Sequence, residues 1–396
     1  MTVDAQVIGS RIKAAREALG MKQEELARIL GLGSRQIVSG LERGTREVKA
    51  AEAVAIARAL KVDLVTLLGE ALDTPVVQWR ARPADGAEPT ESEFLRWCER
   101  DRRILTLLEQ RPSADRLPRH DFDLACSTYV DADRLAREVA ASLDLGARPA
   151  RVLAAAISSR FDITVWYLDV PAGCAACTRG SHGAAILVPR GDAPWRRTFD
   201  IAHELFHLLT WRDVSSAPPG EHSQPADEHV EKLANAFAAS LLLPGETVLD
   251  ELEERSVARR VKLVELVAMA RDFGVSLETL VWRLHNLGCW PDQSAVRELL
   301  DSPRLRGIDK ASQQGQWSEP ARLPERFVQS AYAAILRGRL SRSQLATYFG
   351  CGLSELPAQL AEFGIDESLT ELVSQDVSVG LQPGDLDAPV TPCAQK

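Results

Sequence analysis

Two histidines four positions apart, His203 and His207, stand in the stretch TFDIAHELFHLLTW, with Glu204 beside the first. On an α-helix, positions i and i+4 lie one turn apart on the same face, so both imidazoles can point at one ion. Neutral imidazole is a good zinc ligand. Glu204 lies one step round the helix, within reach of a water on that ion. This is the layout of a site in which a metal acidifies water and a glutamate takes its proton. The plainer interpretation is a helix with two partly buried histidines. A catalytic site also needs a third protein ligand and an open fourth position. Glu231, at the start of the helical pattern VEKLANAFAASLLLP, is one candidate; its ordinary role would be an exposed first-turn acid favoured by the helix dipole. His229 and Glu228 are the competing candidates.

RRTFDIAHELFHLL followed by VEKLANAFAASLLLP resembles the ImmA/IrrE family of metallopeptidases, over about residues 130–290. The resemblance implies that His203, His207 and Glu231 bind the metal, with Ala234 and Asn235 completing an ExxAN motif, and that Glu204 is the general base. It implies zinc as the cofactor, with manganese as the alternative. It also implies an α+β, zincin-like domain ordered as helices, a small sheet, the HExxH helix and the ExxAN helix. Asp200 stands where many members carry Thr or Ser, a change expected to be harmless.

The N-terminal segment carries a second pattern. Gln23 to Leu30 forms one short amphipathic helix, Gly31-Leu32-Gly33 turns the chain, and Ser34 is placed to cap a second helix ending near Gly44. Leu26, Leu30, Val38 and Leu41 have the spacing to bury between the two. In such a unit the second helix enters the DNA major groove. Arg35, Gln36 and Ser39 then face base edges, where Arg and Gln can each make two hydrogen bonds. Gln23, Ser34, Arg43 and Arg46 complete the candidate DNA-contacting set, with Gln23, Arg43 and Arg46 suited to phosphates. QEELARILG, followed by a helix ending LERG, resembles the Cro/C1-type (XRE) helix-turn-helix family over about residues 8–68. The resemblance implies a five-helix domain, double-stranded operator DNA as partner, and a homodimer on paired half-sites. The turn LGLGS is one residue longer than in the commonest members, which shifts the expected base contacts by up to one position.

These two motifs need a scaffold. The chain has 396 residues, 45% hydrophobic and 26% charged, which suits two or three globular domains. The fold class expected is mainly α with a small β-sheet. The divisions expected are 5–70 (helix-turn-helix), 71–125 (linker with a helix), 126–292 (metallopeptidase-like), 293–323 (linker), 324–370 (small helical region) and a disordered tail, 371–396. ITVWYLDV and AAILVP read as strands, and AAILVP as a candidate sheet edge for adding a peptide. SRSQLATYFGCGLSEL resembles a further helix-turn-helix, for which packing or association is the expected role. Cys174 and Cys177 form a CxxC with no second pair, best taken as a plain loop. No apolar run is long enough for a membrane span and the N-terminus lacks an export signal, so the expected location is the cytoplasm, with no membrane partner. A formal net charge of −9 excludes general polyanion binding, so any DNA contact must be local.

Together these features lead to a DNA-binding regulator carrying a zinc-dependent endopeptidase that cleaves a Cro/C1-type repressor or itself in a stress response. The alternative is a transcription factor whose metallopeptidase-like domain senses a ligand or signal without cutting.

Overall fold

The computed structural model describes residues 5–18, 21–46, 48–60, 62, 76–80, 88–110, 116–118, 120, 122–211, 228–290, 292–312 and 317–366. The expected tail and the region of the fifth N-terminal helix lie outside these. The helices are α1 (Ala5–Ala18), α2 (Gln23–Ile29), α3 (Arg35–Glu42), α4 (Ala50–Leu60), α5 (Glu88–Leu107), α6 (Tyr129–Ser142), α7 (Leu153–Phe161), α8 (Pro194–Leu209), α9 (Glu228–Leu242), α10 (Gly245–Arg255), α11 (Leu263–Phe273), α12 (Leu277–Asn286), α13 (Gln293–Asp301), α14 (Pro303–Ser312), α15 (Glu325–Leu336), α16 (Arg342–Phe349) and α17 (Leu356–Ala361). Four strands, β1 (Val76–Trp79), β2 (Ile163–Leu168), β3 (Ala176–Gly180) and β4 (Gly183–Pro189), form one sheet in the order β1-β3-β4-β2. The mainly helical fold with one small sheet is as expected. No described helix is long and apolar enough to cross a membrane.

Within the sheet, β2 runs parallel to β4, while β3 is antiparallel to both β4 and β1. AAILVP is therefore not an edge. It lies in β4, between β3 and β2, and every residue of β4 is buried. Its continuous apolar run is the mark of a strand covered on both faces. Alternation then divides the sheet's side chains. Val165, Ile186, Val188 and Cys177 join the core that holds α8 and α9. Trp166, Leu187, Ala176 and Val77 join a second core on the opposite face, with Phe94 and Trp97 of α5 and Phe327, Leu345 and Leu356 of the C-terminal helices. The sheet is thus the middle of three layers. Both the helix placed in a linker, α5, and the C-terminal helical region belong to its back layer. Trp97 and Trp166 meet there with ring centroids 5.3 Å apart, and Phe327 packs edge-on to Trp166 at 5.2 Å. The helix-turn-helix-like segment at 341–361 spends its apolar face in this packing.

Two strands were not foreseen. β3, ACTRG, holds Cys177, so the CxxC is not a plain loop. β1, VVQW, lies inside the expected linker and forms a sheet edge beside β3.

The N-terminal helices have their own core of Ile12, Leu26, Ala27, Val38, Leu41 and Ile56, with Leu30 partly buried against it. Gly9 lets α1 approach α3: a Cβ there would lie 2.4 Å from the Leu41 carbonyl oxygen. Gly31 makes the turn between α2 and α3 with φ +63°, where a side chain is strained.

Candidate metal centre

Helix α8 starts with Pro194 in its first turn, a position that needs no amide donor. Its inward face is apolar, and Ile201, Ala202, Leu205, Phe206, Leu208 and Leu209 are all buried. That packing fixes the rotation of the helix, and with it the direction of His203, Glu204 and His207. Helix α9 crosses beside it, burying Leu233, Ala234, Phe237, Leu241 and Leu242, with Val230 half-buried. This face was legible from periodicity, and it turns Glu231 toward α8.

The result is a three-residue cluster. One ligand atom from each of His203, His207 and Glu231 lies within 4.8 Å of the others. The His203 Nε2 is 3.1 Å from one Glu231 carboxylate oxygen, and the His207 Nε2 is 3.4 Å from the other. The two Nε2 atoms are 3.1 Å apart. On the far side of the ring, His203 Nδ1 lies 3.1 Å from the Asn235 side-chain oxygen. A proton held at Nδ1 leaves the Nε2 lone pair facing the cluster, the usual way an outer partner orients a ligating histidine. The set is two imidazoles and a carboxylate, a donor set that suits zinc. The competing ligands are elsewhere: exposed His229 has its Nε2 3.0 Å from the Ser127 carbonyl oxygen, and exposed Glu228 pairs with Lys232 at 2.6 Å.

Burial controls the electrostatics. His203 is wholly buried, and its pKa falls to about 4. For Glu231, burial alone would raise the pKa; the hydrogen bonds and charges of both histidines outweigh it and hold it at about 2. His207 is also penalised by burial, but Glu231 and Glu204 raise it on balance. Glu204 has no exposed surface, and burial pushes its carboxyl up to about 7. Neither Glu204 oxygen has a hydrogen-bond partner among the described residues. Burial, reinforced by Glu204 and Glu231, raises the Cys177 thiol well above its ordinary value.

Asp200 stands one turn before Glu204 on α8. It is fully buried and ion-paired with Arg80, which follows β1. Burial raises its pKa to about 6 even though Arg80 opposes the shift. The Arg80 guanidinium also lies 5.3 Å from the centre of the Phe199 ring. Arg80, Phe199, Asp200 and Asn235 line a groove of about 1420 Å³ together with Trp195 and Trp282. The cluster itself meets the surface through His207 and Glu231, whose side chains are 12% and 22% exposed.

Sequence reasoning missed Arg80, Cys177 and the part played by Asp200. It named Asn235 only as a motif residue. The Arg80–Asp200 pair spans 120 positions, and no local pattern signals it.

In the N-terminal unit, Arg35 and Gln36 are exposed on α3 and Ser39 is half-buried. Gln23 is already engaged: its amide donates to Glu42 at 2.6 Å and its oxygen accepts from Arg35 at 3.1 Å. Ser34 stands at the N-cap of α3 in extended conformation, but its side chain makes no capping hydrogen bond. Arg43 is exposed, its Nε donating to the Ser39 carbonyl at 3.2 Å. Arg46 pairs with Glu52 at 2.7 Å.

Comparison with known proteins bears on both parts. Residues 158–285 match the family model of the IrrE N-terminal-like domain, a peptidase-type family. Residues 12–67 match a helix-turn-helix family model. No curated protein matches the chain. A crystal structure of ComR from Streptococcus suis aligns over 94% of this chain and 92% of its own at 11% identity; its TM-score of 0.16 carries no argument. The chain thus carries an XRE-type helix-turn-helix segment at residues 12–67 fused to an IrrE N-terminal-like, peptidase-type segment at residues 158–285.

Proposed function

We propose that this protein is a DNA-binding transcriptional regulator whose central domain is a zinc-dependent endopeptidase. The observation that supports this best is the convergence of His203, His207 and Glu231, with Glu204 buried alongside. Those three side chains would hold the ion. When bound, zinc supplies Lewis acidity, polarising a peptide carbonyl and acidifying water. Glu204 takes the proton from the attacking water and returns it to the leaving amide nitrogen. In the metal-free protein, burial raises this carboxyl to about 7. Asn235 positions His203 by fixing the Nδ1 proton. Manganese is the alternative ion.

The substrate in this reading is a Cro/C1-type repressor or the chain itself, cut in a stress response in the cytoplasm. The helix-turn-helix binds double-stranded operator DNA as a homodimer through Arg35, Gln36 and Ser39, with Gln23, Arg43 and Arg46 at the backbone and Ser34 completing the contacting set. The DNA-binding unit keeps the division 5–70, and the sheet domain takes in β1, α5 and the C-terminal helices besides 126–292.

One observation favours a second reading, a sensor that does not cut: Glu204 is completely enclosed. Zinc-loaded wild type and Glu204→Gln are incubated alone and with candidate repressors, and followed by gel and mass. Fragments from wild type only are the expected result. If both proteins stay intact while wild type binds metal and shifts operator DNA, the sensor reading replaces this one.

A further inference from the structure

The edge strand β1 is the part of the molecule least accounted for by its surroundings. It comes from the segment between the DNA-binding and peptidase-type domains, yet it is zipped onto β3 from Val76↔Arg179 to Trp79↔Ala176. The backbone pairing continues one residue further, with the Arg80 amide donating to the Ala175 carbonyl at 3.0 Å. An extended segment added antiparallel to a sheet edge is a general mode of peptide capture, with backbone pairing for affinity and alternate side chains for specificity.

The side chains of this segment follow that division. Val77 is 6% exposed and sits in the back core, where Trp79 also packs. Gln78 is the register partner of Cys177, the residue beside Glu204. Arg80 reaches the carboxylate of Asp200, which has no exposed surface, with its guanidinium over the Phe199 ring. The second Asp200 oxygen, Oδ2, has no hydrogen-bond partner among the described residues. A buried carboxylate of this kind is costly unless a cation meets it. Arg80 is the cation that does so, and it is supplied by the strand.

We propose that the outer edge of β3 and the Asp200 carboxylate form a peptide-binding subsite for an extended segment carrying an arginine two positions after the residue opposite Cys177. Residues 76–80 of this chain are its resident occupant, and they must leave before another peptide can take the edge. This deepens the reading of the centre as one that handles peptides, but the subsite is defined by binding and not by turnover.

The test uses the full chain and a fluorescein-labelled peptide of residues 74–82, TPVVQWRAR, read by anisotropy. Wild type is expected to exclude the peptide, and a Gln78→Pro variant, which loses the amide that the register places against the Cys177 carbonyl, to bind it. The same peptide carrying Arg80→Ala should bind at least about tenfold more weakly, the worth of one charge-assisted pair. Asp200→Asn in the Gln78→Pro chain should abolish that difference. A folded Gln78→Pro chain that ignores the peptide overturns the proposal, as does equal binding of both peptides. Should Gln78→Pro not fold, hydrogen exchange of residues 176–180 in Arg80→Ala decides. Faster exchange than in wild type, slowed again by the peptide, supports a displaceable occupant; unchanged exchange shows β1 to be a permanent strand. None of these readouts requires cleavage, so a chain that never cuts can still pass or fail.

Discussion

Replacing Glu204 by Gln removes a buried charge while keeping the shape of the side chain. In the metal-free protein the carboxyl has a pKa of about 7 against an ordinary value of 4.5, because burial penalises the ionised form. A folded-state pKa above the unfolded one means that this group's contribution to stability is fully present below pH 4.5. It is lost as pH rises through 7. The wild type should therefore lose about 2–3 kcal/mol through this residue from pH 5 to pH 8. Glutamine does not titrate, so the variant escapes that loss. It carries a fixed cost of about 1–3 kcal/mol for a buried amide short of partners. The variant should accordingly be the less stable protein at pH 5, and the gap should close or reverse by pH 8. His207 acts in the same direction, since Glu204 is among the charges that raise it. Urea unfolding in the presence of a chelator, followed by tryptophan emission at several pH values, measures the difference. Parallel stability profiles for the two proteins would refute the assignment of an enclosed, high-pKa carboxyl.

Further outcomes follow from other sites. Asn235→Ala should weaken zinc affinity about 10–100-fold by releasing the His203 ring, and Glu231→Gln should weaken it more, both by competition with a chromophoric chelator. Arg283 donates from inside α12 to Leu243, Asp133 and Ser240 at 2.8–3.1 Å, so Arg283→Met should lower stability by about 2–3 kcal/mol in denaturant unfolding. Operator binding measured at fixed salt should lose about 1–3 kcal/mol in Arg35→Ala, an exposed residue on α3. Arg46→Ala should lose less, because Arg46 already holds Glu52.

What could be read from the sequence is what local periodicity records. The buried faces of α8 and α9 follow from apolar spacing, and helical geometry then brings His203 and His207 together. Glu231 is harder: its spacing leaves it equal to His229 and Glu228, and the crossing of α9 over α8 separates them. The strands fare worse for a physical reason. β3 is five residues without the β-branched density of β2, and it exists because β4 and β1 supply its hydrogen bonds from both sides. β1 is four residues in a Pro- and charge-rich stretch, and its partner lies about a hundred positions away. Asp200 looked incidental because the cation that stabilises it belongs to that same distant strand.

The position of β1 also links the two functional parts through chain length. Residue 67, where the helix-turn-helix match ends, and Val76 are 9 positions apart; residue 67 and Glu88, where α5 begins, are 21 apart. A chain spans at most about 3.5 Å per residue, so the first tether reaches no further than about 30 Å and the second about 75 Å. A seated β1 therefore sets the shorter limit on how far the DNA-binding unit can stand from the sheet, and an emptied edge sets the longer. Two DNA-binding units on one operator must meet a fixed half-site spacing, and a tether too short for that spacing loses the advantage of the second contact. Occupancy of the β3 edge would, in the subsite reading, act on DNA binding through tether length alone. In the subsite reading, a peptide that displaces residues 76–80 should change operator affinity in a Glu204→Gln chain as much as in wild type.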